Sequence, residues 1–499
     1  MKWSLLKLKA FLIFISFFGF QFTYAQTGLR LNEKLFLLSP AMEQDTIQRP
    51  VWKQKLFHDH LIRFSDSTFE ITVDPLVNFS YLSNVGGVDT GRYYINSRGF
   101  SLRGNLNRKL YFGSTFVENQ AFYPGYQNDF IQQFGVVPGQ GRVKPFKQTG
   151  VDYAYATGYV LVMPNENWTI SFGNEKTFIG NGYRSLVLSD NTFNFPCISS
   201  SSFFLKDKIR YRYVYSWMST LNRSPNFTTV EAPFIRKNFS LHQVDFFVLK
   251  EKLMISLFDA SIWARTDSVK NLNVDPLSYQ PILGLSLLNN TNQSNHLFGF
   301  GLVYNILKKR KVNVMSGFNV YVNSIKELSS IKLSFQAGAK YYLSYKDVRA
   351  MMTVELNRVP AFTYSTSQAN FIGFSHYNQP LAHPLGSGFQ ELLASVYLSY
   401  KRFGLNLYYN KAYFETDASL NRQGFDITFA QHPVKTELNK DFYRAFYRIS
   451  GSYTMNTSYN LQVFAGVFGR KYVEGQNLDQ EKYVEIGIKT NLYNYYFDF

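Results

Sequence analysis

Along most of the chain, apolar and aromatic residues recur at every second position in runs separated by polar breaks. Side chains on a strand alternate between its two faces, so a run of about ten such residues predicts a β-strand long enough to cross a bilayer at a tilt. Many runs come in pairs. Val151 to Met163 and Trp168 to Phe178 flank Asn165-Glu166-Asn167, and Leu241 to Leu249 and Leu253 to Ala264 flank Lys250-Glu251-Lys252. The same short polar link recurs at Asn107-Arg108-Lys109, Lys308 to Lys311, Tyr345-Lys346-Asp347, Lys401-Arg402 and Asn456-Thr457-Ser458, which predicts hairpins. Longer connections fall between them, near 119–149, 179–203, 265–296, 359–389 and 416–441. Short turns alternating with long loops predict an all-β fold, a transmembrane antiparallel β-barrel of the outer-membrane type.

Direction alternates from strand to strand, so parity counts them. Starting upward at Phe69 to Tyr81, seventeen strands are visible, and the 204–219 and 240–249 segments would both run downward. An upward strand is therefore expected between them. Asn226 to Arg236 is the candidate, interrupted by Pro233, and it brings the count to about 18. Residues 483–499 read as a closing strand with Tyr493, Tyr495, Phe497 and Phe499 on one face, a terminal aromatic pattern of the kind the barrel-assembly machinery recognises. A soluble array of β-sandwiches would need linkers, and no Pro/Gly/Ser-rich linker is present.

Three regions follow. Residues 1–25 read as a secretory signal, with Lys2, Lys7 and Lys9 before the apolar run Ala10 to Phe22 and a small residue, Ala25, at the expected cleavage point. Residues 26–66 read as a periplasmic N-terminal segment, where Trp52, Leu56, His60 and Phe64 repeat at helical spacing, and residues 67–499 as the barrel. No further apolar stretch is long enough for a membrane helix.

Composition narrows the function. The 499 residues are 18% aromatic and 17% charged, which excludes a disordered chain, and the lone Cys197 excludes a disulfide scaffold and is expected as a small buried residue. The formal charge is +17, and removing the three lysines of the signal leaves +14. Such a balance suits an anionic partner, and export makes nucleic acid the least suitable one. No cofactor fingerprint or zinc-type cysteine spacing occurs, and His58 and His60 alone do not make a metal site. His376 and His383 lie near Ser375 and Ser387, but a nucleophile needs a base within reach and an orienting third group, and no spacing signals one. The chain is expected to be no enzyme.

Two loops carry dense polar information, 180–191 (GNGYRSLVLSDN) and 375–386 (SHYNQPLAHPLG). By the strand count both are extracellular. Asp and Asn can bond sugar hydroxyls, Tyr can stack on a sugar face and Arg can pair a carboxylate or phosphate, which makes Tyr183, Arg184, Asp190, Asn191, His376 and His383 candidate ligand-binding residues. The same residues could instead plug the lumen and satisfy one another, and the pattern divides evenly between the two. If the loops stand clear, a channel for anionic or sugar solutes follows; if they interlock inside, the barrel is a binding platform.

Phe172-Gly173, Gly180, Gly182, the run Ser185 to Asn191 and Pro196 resemble the signature of the Wzi capsule-assembly family, and in particular its gliding-motility-associated, RemB-like branch. The segment Gln379 to Gly386 resembles that family's QPLGHPLG-type segment, with Ala382 in place of a glycine, and Phe178 stands where many members carry tryptophan. The resemblance implies an 18-stranded outer-membrane barrel that acts as a lectin anchoring surface polysaccharide, a monomer without a cofactor. Expected partners are that polysaccharide, outer-membrane lipid, and motility or periplasmic proteins docked on the 26–66 segment.

Overall fold

A computed structural model describes residues 51–499, apart from 87–90, 225–230, 266–275, 277–278, 286–293, 312–313, 328–332, 367–370, 429–433 and 493–495. The signal expected over 1–25 and the stretch 26–50 lie outside the described residues. The chain starts with α1 (Val51–Phe57) and a short β1 (Ile62–Ser65). The wall then forms from β2 (Phe69–Asn84), β3 (Arg92–Leu106), β4 (Leu110–Phe122), β6 (Gly150–Asn165), β7 (Trp168–Glu175), β8 (Phe195–Phe204), β9 (Ile209–Arg223), β10 (Phe234–Val248) and β11 (Leu253–Ala264). It continues through β12 (Ser294–Lys311), β13 (Val314–Glu327), β14 (Leu333–Tyr345), β15 (Val348–Val359), β18 (Phe389–Tyr400), β19 (Phe403–Thr416), β20 (Glu437–Asn456), β21 (Leu461–Glu474) and β22 (Asn477–Lys489). The loops carry α2 (Gly125–Phe134), β5 (Lys144–Phe146) and a two-stranded ribbon of β16 (Ser375–His376) and β17 (Gln379–Pro380).

Each wall strand pairs antiparallel with its neighbours, and β22 returns to β2 in the register Asn78↔Lys489 to Asn84↔Tyr483. Eighteen strands therefore form a closed ring, the outer-membrane barrel fold expected from the pattern. Alternation sets the two faces. On β2, Phe79 and Tyr81 point outward and are exposed, while Asn78 and Ser80 between them are buried. Val484, Ile486 and Ile488 of β22 do the same against Tyr483 and Glu485. Apolar side chains exposed on β2–β4, β6–β8, β12, β14, β15 and β18–β22 make the lipid-facing band. Turns are tight at one end. Asn107 and Arg108 both take positive φ, 50° and 54°, the geometry of a two-residue hairpin that matches strand twist.

Parity is satisfied by a different strand from the one expected. The segment 209–223 runs upward, and the strand before it is β8, within what reads in sequence as a long loop. Its run Ser199 to Ser202 hides the alternation, because both faces carry serine there: Ser199 and Ser201 continue the lumen side of Phe195 and Cys197, and Ser200 and Ser202 the outer side of Ile198 and Phe204. Residues 225–230 of the expected strand lie outside the described residues, and 234–236 open the downward β10.

The closing strand is also shorter than 483–499. β22 ends at Lys489, where the Thr490 N–H donates to Val77 O at 2.9 Å, and residues 496–499 lie inside the ring. Tyr493 and Tyr495 lie outside the described residues. Phe497 packs on Tyr123, with ring centroids 5.8 Å apart, and Phe499 packs on Phe130 of α2 at 4.7 Å. Phe499 is therefore interior in the folded chain rather than the outer end of a wall strand. At the short-turn end, α1 rests on the β20–β21 turn, where Asn456 Nδ2 donates to Lys55 O and Asp59 O, and β1 extends the sheet beside β2. Trp52 and Phe64, each 62% exposed, stay on its surface.

Candidate functional site

The lumen is filled by the loops. Connections 176–194 (β7 to β8) and 360–388 (β15 to β18) both start at the long-loop end, fold inward and interlock. Ser185 shapes the first, its Oγ bonding Ile179 O and accepting from the Val187 and Leu188 N–H groups at 3.0 and 3.1 Å. Across the loops, the Ser189 N–H donates to Leu381 O at 2.7 Å, Asn191 Nδ2 to Pro380 O at 3.2 Å and the Tyr364 hydroxyl to Leu186 O at 2.8 Å. The run Leu186-Val187-Leu188 buries against Tyr364, Phe374 and Leu381, and all of these pack on wall residues such as Phe239, Phe258 and Ile262. Apolar burial on that scale is what draws the loops out of water.

A third loop clamps the ribbon. Gln379 accepts from the Gly139 N–H at 2.6 Å and donates to Gln140 O at 2.8 Å, and Asn378 donates to Phe134 O at 3.3 Å. The connection 417–436 closes from the other side, so tightly that Gly386, at φ +67°, has no room for a side chain beside Phe425 O.

Beneath the interlock lies a buried charge cluster. Arg184, 1% exposed, donates through Nη2 to Asp498 Oδ2, to Tyr408 OH at 3.1 Å and to Glu391 Oε1 at 3.4 Å. Burial works against its charge, but Asp498, Tyr408 and Glu391 prevail, and its proton is held more firmly than in a free arginine. Glu391 on β18 also takes a bond from His383 at 2.8 Å and from Asn357 and Asn410 at 3.1 Å each, with Arg444 Nη2 of β20 at 3.7 Å. Burial pushes the His383 pKa down, and the facing Glu391 only partly offsets it. Glu355 on β15 accepts the Tyr183 and Arg184 N–H groups at 2.5 and 3.0 Å, which fixes the loop backbone to the wall. Gly182 is needed there, since a Cβ would strike the Glu355 carboxylate.

The six residues expected at a recognition surface all belong to this interior. Arg184 and His383 are brought together through Glu391, and Tyr183 packs on Tyr408 with centroids 5.5 Å apart. Asp190 accepts from the Tyr496 hydroxyl at 2.5 Å, and Asn191 bonds the second loop. His376 sits apart from them, its Nδ1 accepting the Ser219 N–H of β9 at 3.2 Å. Its pKa is pushed down to about 3, by burial and then by the nearby Lys237. Arg184, Asn191, His376 and His383 are buried and Tyr183 and Asp190 half-buried, and each is tied into the plug by these contacts. Ser375 accepts from Lys237 at 3.1 Å, Ser387 donates to Gly424 O, and Cys197 is buried in β8.

An open cavity remains at the long-loop mouth. Of about 380 Å³, it is walled by α2, the 384–386 turn, the 422–428 segment and the upper part of β21, with Arg444 at its floor. Arg422 lies over the Phe414 and Phe425 rings at 3.7 and 4.6 Å, and Arg470 donates to Asp479 at 2.8 Å and to Phe499 O at 3.3 Å. Sequence reasoning missed Glu355, Glu391, Asn410, Arg444 and Asp498. Charged residues at lumen-facing positions of otherwise apolar strands are the signal that carries the three on the wall, Glu355, Glu391 and Arg444.

No protein-family model matches the chain. No curated protein matches it by sequence. Among solved structures it is similar to Escherichia coli Wzi, an outer-membrane protein involved in group 1 capsule assembly and described as a carbohydrate-binding β-barrel. The TM-score is 0.51 at 14% identity, over 84% of this chain and 85% of that one. It is also similar to Pseudomonas aeruginosa opdK (TM-score 0.45, 8% identity, 84% and 98% covered) and OccK2 (0.44, 8%, 85% and 98%). At these identities the likeness is one of fold.

Proposed function

We propose that the chain is a plugged outer-membrane barrel that binds and organises surface polysaccharide at its extracellular mouth, as in the Wzi capsule-assembly family, and that the RemB-like gliding branch is its nearest functional model. The observation that carries this reading is the interlock of the 176–194 and 360–388 loops inside the ring, with an open cavity of about 380 Å³ left at the long-loop end. A lumen packed with leucine, valine and phenylalanine favours a platform over a water-filled pore. The carbohydrate binding described for the E. coli barrel supports the same reading. Short turns of such barrels face the periplasm, and since α1 and β1 sit at the short-turn end, the reading assigns them a periplasmic position from which they would dock a periplasmic or motility protein. Retention would be multivalent, with weak contacts at each mouth made durable by a polymer that spans many barrels.

Two measurements test it together. A deletion strain is expected to shed more polysaccharide into the medium than the complemented strain at unchanged total synthesis, and the purified chain is expected to be silent in planar bilayers. Unchanged shedding together with steady conductance would replace the platform by a channel.

A further inference from the structure

The mouth cavity is lined by cationic groups that the plug satisfies only in part. Arg444 reaches the floor from β20 and is 1% exposed. Its Nη2 donates to Asn410 Oδ1 at 3.2 Å and lies near Glu391, but Nε and Nη1 are buried and meet no acceptor. Unmet donors on a buried charge are costly, and natural structures rarely leave them without a reason. In the 417–436 connection, Arg422 is held between Phe414 and Phe425 and hydrogen-bonded to Tyr472 with Glu474 in the vicinity, and no carboxylate among the described residues lies within ion-pair distance of it. Arg470, by contrast, is neutralised by Asp479 at 2.8 Å. Of the other acids lining the cavity, Asp426 is turned onto Thr428, accepting its N–H at 2.9 Å and its hydroxyl at 2.6 Å, and Asp129 stands exposed on α2 at the rim.

The shape adds a second constraint. About 380 Å³ is at the small end of ligand pockets, enough for a short stretch of glycan. Half-buried rings of Phe425 and Tyr472 line the wall beside Arg422 and offer apolar faces to the C–H side of a sugar ring. A guanidinium matches a planar carboxylate through two parallel hydrogen bonds. Resting on the polysaccharide reading above, we infer that this cavity takes an acidic sugar residue, a uronate whose carboxylate lies against Arg444 and Arg422 while its ring packs on Tyr472 and Phe425. The neutralised Arg470 and the outward-facing Asp129 leave the floor as the place where the anion gains most.

The test is calorimetric titration of the full chain in detergent with digalacturonate and with the neutral digalactoside of the same length. The acidic disaccharide is expected to bind at least tenfold more tightly, and Arg422→Gln and Arg444→Gln are each expected to weaken it at least tenfold, shrinking or abolishing its advantage over the neutral sugar. Heat-modifiable mobility on gels reports whether each variant still folds, and Arg422, on a loop, keeps the test alive if Arg444→Gln does not. Equal binding of the two sugars, or acidic binding that survives Arg422→Gln, overturns the inference but leaves polysaccharide binding standing. Absence of binding by either sugar overturns it as well; the shedding measurement then separates the cases, since only unchanged shedding brings down the broader reading.

Discussion

Replacing Arg184 by methionine removes the cation at the centre of the plug while nearly preserving its volume. Three contacts vanish, to Asp498, Tyr408 and Glu391. Breaking a buried pair costs about 3–5 kcal/mol, because the surviving charge is left without its partner. Here the survivors are partly provided for. Glu391 keeps His383 at 2.8 Å and two asparagine donors at 3.1 Å, and Asp498 keeps the Tyr408 hydroxyl at 2.5 Å. The lower end, about 3 kcal/mol, is therefore expected. The loss falls on the loops, since the wall is held by its own continuous ladder of backbone hydrogen bonds. Hydrogen exchange reads it directly at the amides that tie the loops together, Ile179 to Leu188 O, Ser189 to Leu381 O and Leu381 to Phe374 O. With tenfold per 1.4 kcal/mol, these amides should exchange about 150-fold faster while amides of β22 keep their rates. Unchanged exchange at all three, or acceleration spread evenly through plug and wall, would refute the argument that Arg184 is the fastener of a separate interior unit.

Tyr364→Phe removes only the hydroxyl that bonds Leu186 O at 2.8 Å, in a fully buried position, and should weaken the plug by about 1–3 kcal/mol in the same exchange measurement. Gly386→Ala should cost at least as much, from left-handed backbone and the collision with Phe425 O together, and a thermal melt of the loops at wild-type temperature would contradict it. His376 adds a pH dependence. Its pKa falls from 6.5 to about 3 on folding, so between those values the unfolded loop binds the extra proton, stability rises with pH, and about 1.4 kcal/mol is lost per unit of acidification. Protection of the Tyr377 amide, which donates to Ser219 O at 3.0 Å, should fall accordingly as pH drops from 6.5 towards 3, and a flat profile after correction for intrinsic exchange would exclude it.

The barrel was legible because lipid and lumen impose opposite demands on alternate residues. Phe79 and Tyr81 against Asn78 and Ser80 on β2 state that rule in four positions. β8 escaped it because serine occupies both faces from Ser199 to Ser202, so the alternation seen at Phe195 to Ile198 is lost in a uniformly polar run. The informative loops were legible as well, but the pattern left an open recognition face and a filled lumen equally weighted, and the structure turns the loops inward. Leu186-Val187-Leu188 and Leu381 held the missing signal: an apolar run of that length in a long extracellular loop costs too much if left in water. The final aromatics matched the strand period only by coincidence of spacing. Phe497 and Phe499 serve Tyr123 and Phe130 inside the barrel, and no feature of a period-2 pattern separates a wall from a strap.

That strap decides what kind of plug this is. Thr490 is bonded to Val77 at the short-turn end, while Asp498 holds Arg184 and Phe499 lies against α2 at the other end. One continuous segment therefore runs from the closing strand to the loops it secures. Glu391 sits where the parts meet, accepting from the first loop through Arg184, from the second through His383 and from the wall through Asn410. Opening the lumen would strip that carboxylate of two loop donors at once and expose the leucine-rich cluster above it, a penalty of several buried contacts for every solute passed. A gate needs two arrangements of similar energy, and here the charges, the apolar packing and the strap all favour one. Binding at the mouth meets no such penalty, because the cavity beside Arg422 and Arg444 already exists with the plug closed. A closed plug and a formed mouth cavity are thus consequences of the same packing, and under the proposed polysaccharide role a polymer would be retained by occupying many such mouths rather than by entering any of them.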